Sequence, residues 1–105
     1  MERRRQTRAP VRLPVKIRPK RALRGPEQSG LTRDLTSSGI FLYTDSAFEP
    51  GAKLELVLMF PPNLGLGPAG WTLCEASVVR VEPSEGKSVG IAATIDRVER
   101  LPELL

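Results

Sequence analysis

Short stretches in which apolar and polar residues alternate dominate this sequence. The clearest is residues 11–18, where Val11, Leu13, Val15 and Ile17 are separated by Pro14 and basic residues. Alternation with a period of two is typical of a strand with one buried face. Five further segments are predicted to be strands, at residues 29–35, 40–44, 54–60, 71–81 and 88–95.

Residues that break regular structure separate these segments. Phe48-Glu49-Pro50-Gly51 has Pro before Gly in the order of a type II turn, and residues 61–70 are rich in Pro and Gly. Six strands without a helical pattern between them predict an all-β fold, either an antiparallel barrel or a sandwich. A six-stranded barrel is favoured because closure hides the edges that a small sheet would expose.

Three local predictions follow from these patterns. In residues 71–81, Trp71, Leu73, Val79 and Val81 are expected to share one face. Gly39 is expected to adopt a left-handed or tight backbone conformation. Residues 96–99 have the form of a capping box, which predicts a short C-terminal helix.

Length and composition limit the kind of protein. The 105 residues fit a single domain, and no apolar run approaches the roughly 18 residues of a membrane-spanning helix. One cysteine fits a reducing compartment, so a cytoplasmic location is expected. The lack of a long apolar run predicts no membrane insertion. The lack of histidine argues against a zinc site and excludes Ser-His-Asp and Cys-His catalysis.

The positive charge is concentrated at the N-terminus. Residues 1–24 have a net charge of +9, whereas residues 25–105 have −5. Four arginines lie within six residues, at Arg3, Arg4, Arg5 and Arg8, without apolar periodicity. Residues 1–10 are therefore predicted to be a flexible cationic arm that binds an anion.

Two motifs could form a site for that anion. Arg4 and Arg8 can chelate a phosphate and stack on a purine, although a solvated basic tail is the alternative interpretation. Asp34-x-Thr36-x-x-Gly39 offers a carboxylate, a hydroxyl and a residue without a side chain between two strands. Its alternative interpretation is an Asx or Ser/Thr turn that merely joins those strands.

A third pattern is rejected. Residues 65–70 match G-x-G-x-x-G literally, but a dinucleotide fingerprint needs a helix N-terminus after it to hold the pyrophosphate. Here a segment with the pattern of a strand begins at Trp71, so a plain loop is predicted.

Together the two motifs resemble the PilZ domain family. ERRRQTR before VRLPVKI is similar to the opening of the family, and DLTSSGIFLYTD is similar to its central motif. The resemblance implies a six-stranded antiparallel β-barrel with a C-terminal helix that binds cyclic di-GMP. It further implies that Arg4 and Arg8 hold phosphates and stack on guanine, with Asp34, Thr36 and Gly39 under the other base.

Further expectations follow from the same resemblance. The family most often has serine where this chain has Thr36, whose methyl group makes the side chain stiffer, so weaker binding is expected. Arg3 would stack on a second nucleotide, and Arg5 adds charge. The ligand would order the arm and create or hide a surface for a protein partner, and no cofactor is expected.

Three other function classes remain. The barrel could be an adaptor that binds a motility or exopolysaccharide protein without nucleotide. An RNA-binding barrel is less favoured because the few aromatic residues form no stacking platform. An enzyme is the least favoured class, since the chain lacks histidine and a phosphate-binding loop.

Overall fold

The chain forms a single twisted sheet of antiparallel strands that closes on itself. The structure is a computed structural model that describes residues 9–19, 27–45, 48–61 and 69–102. Seven strands occur in these residues: β1 Ala9–Pro10, β2 Pro14–Pro19, β3 Gln28–Leu35, β4 Gly39–Thr44, β5 Lys53–Phe60, β6 Gly70–Pro83 and β7 Val89–Arg100.

Strands β2 to β7 make the barrel. Their order is β3-β2-β5-β6-β7-β4, and pairing of β3 with β4 closes the ring. Every pair is antiparallel. The predicted six-stranded antiparallel barrel is therefore confirmed, with the two-residue β1 added beside β2 on the edge of β3.

The core is built from large side chains facing small ones. On β5, Leu54, Leu56 and Leu58 point inward and are fully buried. Their partners on β6 are smaller: Ala76, Cys74 and Thr72, respectively. Large side chains opposite small ones fill a narrow barrel without voids, which explains why β5 supplies much of the apolar volume.

Residues 11–13 lie between β1 and β2. There, hydrogen bonds of the buried Thr32 take the place of regular pairing between strands. The Thr32 amide donates to the Leu13 carbonyl (3.0 Å), and the Leu13 amide donates to Thr32 Oγ1 (2.8 Å). The same hydroxyl donates to the Val11 carbonyl. Residues 9–19 therefore run along β3 as one extended segment despite the break.

The predicted face of residues 71–81 is wrong at Val81, which points inward, whereas Trp71, Leu73 and Val79 share the outer face. Trp71 and Val79 are about half exposed, whereas the fully inward set is Thr72, Cys74, Ala76 and Val78. The alternation is interrupted by a β-bulge, because Val78 pairs with Ala93 but Arg80 pairs with the next residue, Ala92. Val79 is thus an extra residue, and the inward phase changes after it.

The predicted C-terminal helix is not confirmed. Residues 96–99 continue β7, which runs to Arg100 and pairs with β6, so their interpretation as a capping box is wrong. Residues 9–19, 27–45, 48–61 and 69–102 contain no helix, and residues 103–105 lie outside the described chain. Accordingly, none of the described segments is a helix long and apolar enough to cross a bilayer.

The predicted turn at Pro50-Gly51 is confirmed. The Ala52 amide donates to the Glu49 carbonyl (3.0 Å), and Gly51 has a φ of 92°, which a type II turn requires at its third residue. The strand β6 begins at Gly70, so no helix follows the G-x-G-x-x-G match, as expected.

Candidate functional site

A four-residue turn joins β3 to β4. The Thr36 amide donates to the Gly39 carbonyl (2.9 Å), and Thr36 Oγ1 accepts from the amides of Gly39 (2.9 Å) and Ser38 (3.2 Å). The Ile95 amide donates to the Ser38 carbonyl (2.9 Å), which ties the turn to β7. The Thr36 hydroxyl therefore fixes the turn, as the Ser/Thr-turn interpretation predicts.

Gly39 was predicted to have a left-handed or tight backbone, and the second alternative is found: it belongs to the tight turn at Thr36, whereas the positive-φ residues in the described chain are Gly51, Gly70 and Gly86. A Cβ atom at Gly39 would lie 3.4 Å from the Ala93 carbonyl oxygen, which is an ordinary contact. Its contribution is an open surface, since it presents no side chain to the space outside the barrel.

A β-bulge in β3 brings two neighbouring side chains to the same face. Thr32 pairs with Leu42, but Asp34 pairs with Phe41, so Arg33 is an extra residue. Arg33 and Asp34 both lie on the outer face, although adjacent residues of a regular strand point in opposite directions. This arrangement allows them to contact each other directly.

Arg33 and Asp34 form an ion pair at the surface. Arg33 Nε donates to Asp34 Oδ2 over 2.7 Å, and Arg33 Nη2 lies at the same distance from that oxygen. The guanidinium carbon also lies 3.9 Å from the centre of the Phe41 ring. The hydrogen bond to Asp34 raises the pKa of Arg33 above its usual value, so the guanidinium is a fixed positive charge.

A second arginine stands on the other side of the same face. Arg80 follows the bulge at Val79, which turns its side chain outward rather than into the barrel. Its Nε atom donates to Glu82 Oε2 over 2.6 Å. Asp34, Phe41, Ala92 and Arg80 are successive register partners across β3, β4, β7 and β6.

These groups surround an open cavity of about 280 Å³. Its lining residues are Arg33, Asp34, Thr36, Ser38, Gly39, Ile40, Phe41, Arg80, Ala92 and Ala93. Small residues form much of the lining, and its two arginines are each paired with a carboxylate, Arg33 with Asp34 and Arg80 with Glu82. The structure thus brings the predicted Asp34, Thr36 and Gly39 together in one concave surface.

The other predicted site residues, Arg3, Arg4, Arg5 and Arg8, lie outside the described chain. The described chain begins at Ala9, the residue after Arg8, and its first two residues pair with β3. In β1, Ala9 pairs with Leu35 and Pro10 pairs with Asp34. Ala9 and Pro10 were expected to belong to the arm, but they are part of the sheet beside the cavity.

Comparison with known proteins identifies the family. The sequence matches the PilZ domain over residues 2–101. This chain belongs to the PilZ domain family. No curated protein matches the sequence.

Solved PilZ structures have the same fold. The PilZ domain of Escherichia coli YcgR with c-di-GMP has a TM-score of 0.60 at 14% identity, covering 90% of this chain and 79% of that one. The PilZ domain of CeSA from a cellulose-synthesizing bacterium has a TM-score of 0.57 at 13% identity, covering 87% and 81%.

A third similar structure is the Bacillus subtilis inhibitor of motility, MotI/DgrA. Its TM-score is 0.70 at 20% identity, and the match covers 94% of this chain and 45% of that one. This PilZ chain therefore spans less than half the length of the B. subtilis protein. At these identities, all three similarities show the fold.

Seven of the ten residues that line the cavity of this PilZ domain were not predicted from sequence, and three of these are charged or aromatic: Arg33, Phe41 and Arg80. Arg33 and Arg80 are placed there by bulges, which have no signal in the alternation of the sequence. Phe41 lies on the outer face of β4 but is only 7% exposed, because the Arg33 guanidinium covers its ring. The adjacent charges of Arg33 and Asp34 were the available signal for an ion pair.

Proposed function

We propose that this PilZ domain is a receptor for cyclic di-GMP that signals to a protein partner. The observation that carries the proposal is the pairing of β1 with the end of β3. Since Ala9 and Pro10 lie beside Leu35 and Asp34, the chain enters the sheet next to the cavity directly after Arg8. The residue that follows the arginine motif in sequence thus lies beside Leu35, next to Asp34 of the second motif.

Each motif has a distinct role in this proposal. Arg4 and Arg8 hold the phosphates and stack on guanine, while Arg3 and Arg5 add charge and a stacking surface for a second nucleotide. The bound nucleotide lies over the cavity that Asp34 and Gly39 line. The Thr36 hydroxyl supports the turn through backbone hydrogen bonds, a role that serine would fill equally well.

Signalling follows from ordering the arm. Fixing each residue of the arm costs roughly 1–2 kcal/mol in backbone entropy. Each charge-assisted hydrogen bond to the ligand contributes about 1.5–3 kcal/mol, so several of them offset that cost. The ordered arm then changes the surface that a partner contacts, and no catalytic step is part of the mechanism.

Calorimetric titration with cyclic di-GMP tests the proposal. The unmodified domain is expected to bind, while Arg4→Ala and Arg8→Ala are expected to abolish measurable binding because each removes a phosphate-binding cation. Lys53→Ala is the control, since Lys53 Nζ donates to Ser77 (2.8 Å) on β5 and β6, outside the cavity. Undiminished affinity in Arg8→Ala would contradict the assignment of the site.

The same titration measures the stoichiometry. Two nucleotides per chain are expected if Arg3 stacks on a second ligand molecule, and Arg3→Ala should then reduce the value to one. A stoichiometry of one in the unmodified domain would remove Arg3 from this role.

An adaptor function is the second candidate. One structure with the same fold is described as an inhibitor of motility. In addition, Met59 and Trp71 are register partners on β5 and β6, and both side chains are largely exposed. The adaptor would dock a motility or exopolysaccharide protein without nucleotide, and a flat titration with cyclic di-GMP would favour it.

A further inference from the structure

Arg33 is held on two sides by the fold. Its Nε atom donates to Asp34 Oδ2 over 2.7 Å, Nη2 forms an ion pair with the same oxygen, and the guanidinium carbon lies over the Phe41 ring, 3.9 Å from its centre. We infer that Arg33 is a preformed stacking surface for a guanine base of the ligand. This inference rests on the proposed function and adds a residue outside both sequence motifs.

The bulge in β3 is what makes this geometry available. In a regular strand, Arg33 would point away from the face that carries Asp34, and the two side chains would be on opposite sides of the sheet. With Arg33 as the extra residue, both point outward and the guanidinium lies over Phe41 of the adjacent β4.

The remaining face of the guanidinium is available to a ligand. Arg33 lines the cavity and 46% of its side chain is exposed, while Phe41, beneath it, is buried. Arginine planes are surfaces on which nucleic-acid bases stack, and Arg is more weakly hydrated than Lys. A base placed on Arg33 would form a stack of Phe41, guanidinium and guanine.

The ion pair lowers the cost of this contact. A surface arginine normally loses rotamer freedom when it orders on a ligand. Here the hydrogen bond and ion pair with Asp34 and the contact with Phe41 fix the side chain before the ligand arrives. Asp34 is therefore a positioning residue for Arg33, in addition to its place in the motif.

Titrations with cyclic di-GMP of Arg33→Ala and Arg33→Lys test the inference. Both variants are expected to raise the Kd about tenfold, because lysine keeps the charge but lacks the planar surface. Arg18→Ala is the matched control: Arg18 is 44% exposed, donates to Glu55 over 3.1 Å and lies outside the cavity lining. Its Kd is expected to stay within about twofold of the unmodified value.

A spectroscopic signal separates stacking from electrostatic attraction. On saturation with cyclic di-GMP, the Arg33 Nε–H resonance is expected to move upfield through the ring current of the base, whereas that of Arg18 stays in place. An Arg33→Lys variant that binds like the unmodified domain, or an unmoved Arg33 resonance in a domain that binds, would overturn the stacking role alone. Absence of binding by the unmodified domain would overturn the proposed function and this inference together.

Discussion

Cys74 is a free thiol at the centre of the barrel wall. Its side chain has no exposed surface and lies opposite Leu56 on β5. Burial raises the pKa of the Cys74 thiol from 9.0 to about 11, since the thiolate would lose its hydration. The folded protein therefore keeps this proton at pH values at which the unfolded chain releases it.

This pKa shift predicts a loss of stability in alkaline solution. Because the folded pKa is raised, the stabilisation is complete below about pH 9 and is lost as the pH rises to about 11. We expect this residue to reduce the free energy of unfolding by about 2–3 kcal/mol across that window. Urea titrations at several pH values measure it. Cys74→Ala should show a smaller decrease, and an equal decrease in both proteins would contradict the assignment to Cys74.

Among the elements, β3 has the largest number of neighbours. It pairs with β1 and β2 along one edge and with β4 along the other, and it ends at the turn that carries Thr36. Its contact with the interrupted segment at residues 11–13 combines two backbone hydrogen bonds, Thr32 amide to Leu13 carbonyl and Val11 amide to Arg33 carbonyl, with two bonds made by the buried Thr32 hydroxyl. This side chain is 1% exposed.

Removal of that hydroxyl should destabilise the fold. Thr32→Val keeps the shape but leaves the Val11 carbonyl and the Leu13 amide without this partner, so we expect a loss of about 2–4 kcal/mol. Thr94→Val is the control, because its hydroxyl donates to Asp96 (3.2 Å) at an exposed position and should change stability by less than about 0.5 kcal/mol. Denaturant unfolding of both variants measures their free energies of unfolding. Equal stabilities would contradict the role of Thr32.

The alternation of residues was sufficient to predict the strands but not their irregularities. The segments that became β2, β4 and β5 were predicted because their inward sets are apolar and regular. The face of β6 was predicted wrongly at Val81 because the bulge at Val79 changes the inward phase after it. A bulge leaves one residue without a partner on the neighbouring strand and has no characteristic composition. Arg33 and Arg80 therefore could not be placed from sequence.

The residues of the candidate site were predictable to different degrees. Asp34, Thr36 and Gly39 were found because their spacing fits a turn between two strands, and the structure groups them at one cavity. Gly39 was chosen for a left-handed or tight backbone, and the structure has the tight turn without a positive φ. The partner of Asp34 was missed because residues next to each other in a strand are not expected to touch.

At the scale of the whole molecule, the ring of strands is complete without residues 1–8. Strands β2 to β7 close the barrel by themselves, and the buried core draws on residues from Val15 onward. The proposed function, in contrast, depends on arginines in that N-terminal segment. Stability and ligand binding are therefore expected to be separable.

Deletion of residues 1–8 tests that separation. The free energy of unfolding should change by less than about 0.5 kcal/mol, because the closing strands are retained. The increase in Tm that cyclic di-GMP gives the full chain should disappear, since a ligand stabilises only the state that it binds. Thermal unfolding of both proteins with and without the nucleotide measures both effects, and a ligand-dependent Tm in the shortened chain would contradict the role of the arm.

The bulged residues also determine where the length of this sequence can change. Removal of Arg33 would leave Thr32 inward, Asp34 outward and Leu35 inward, so the core would keep its set of residues. Removal of a residue elsewhere in β3 would exchange the two faces of everything beyond it. A gap of one residue at Arg33 or Val79 preserves the alignment of the inward positions, but the proposed ligand binding uses Arg33, so insertions and deletions among relatives are expected at Val79.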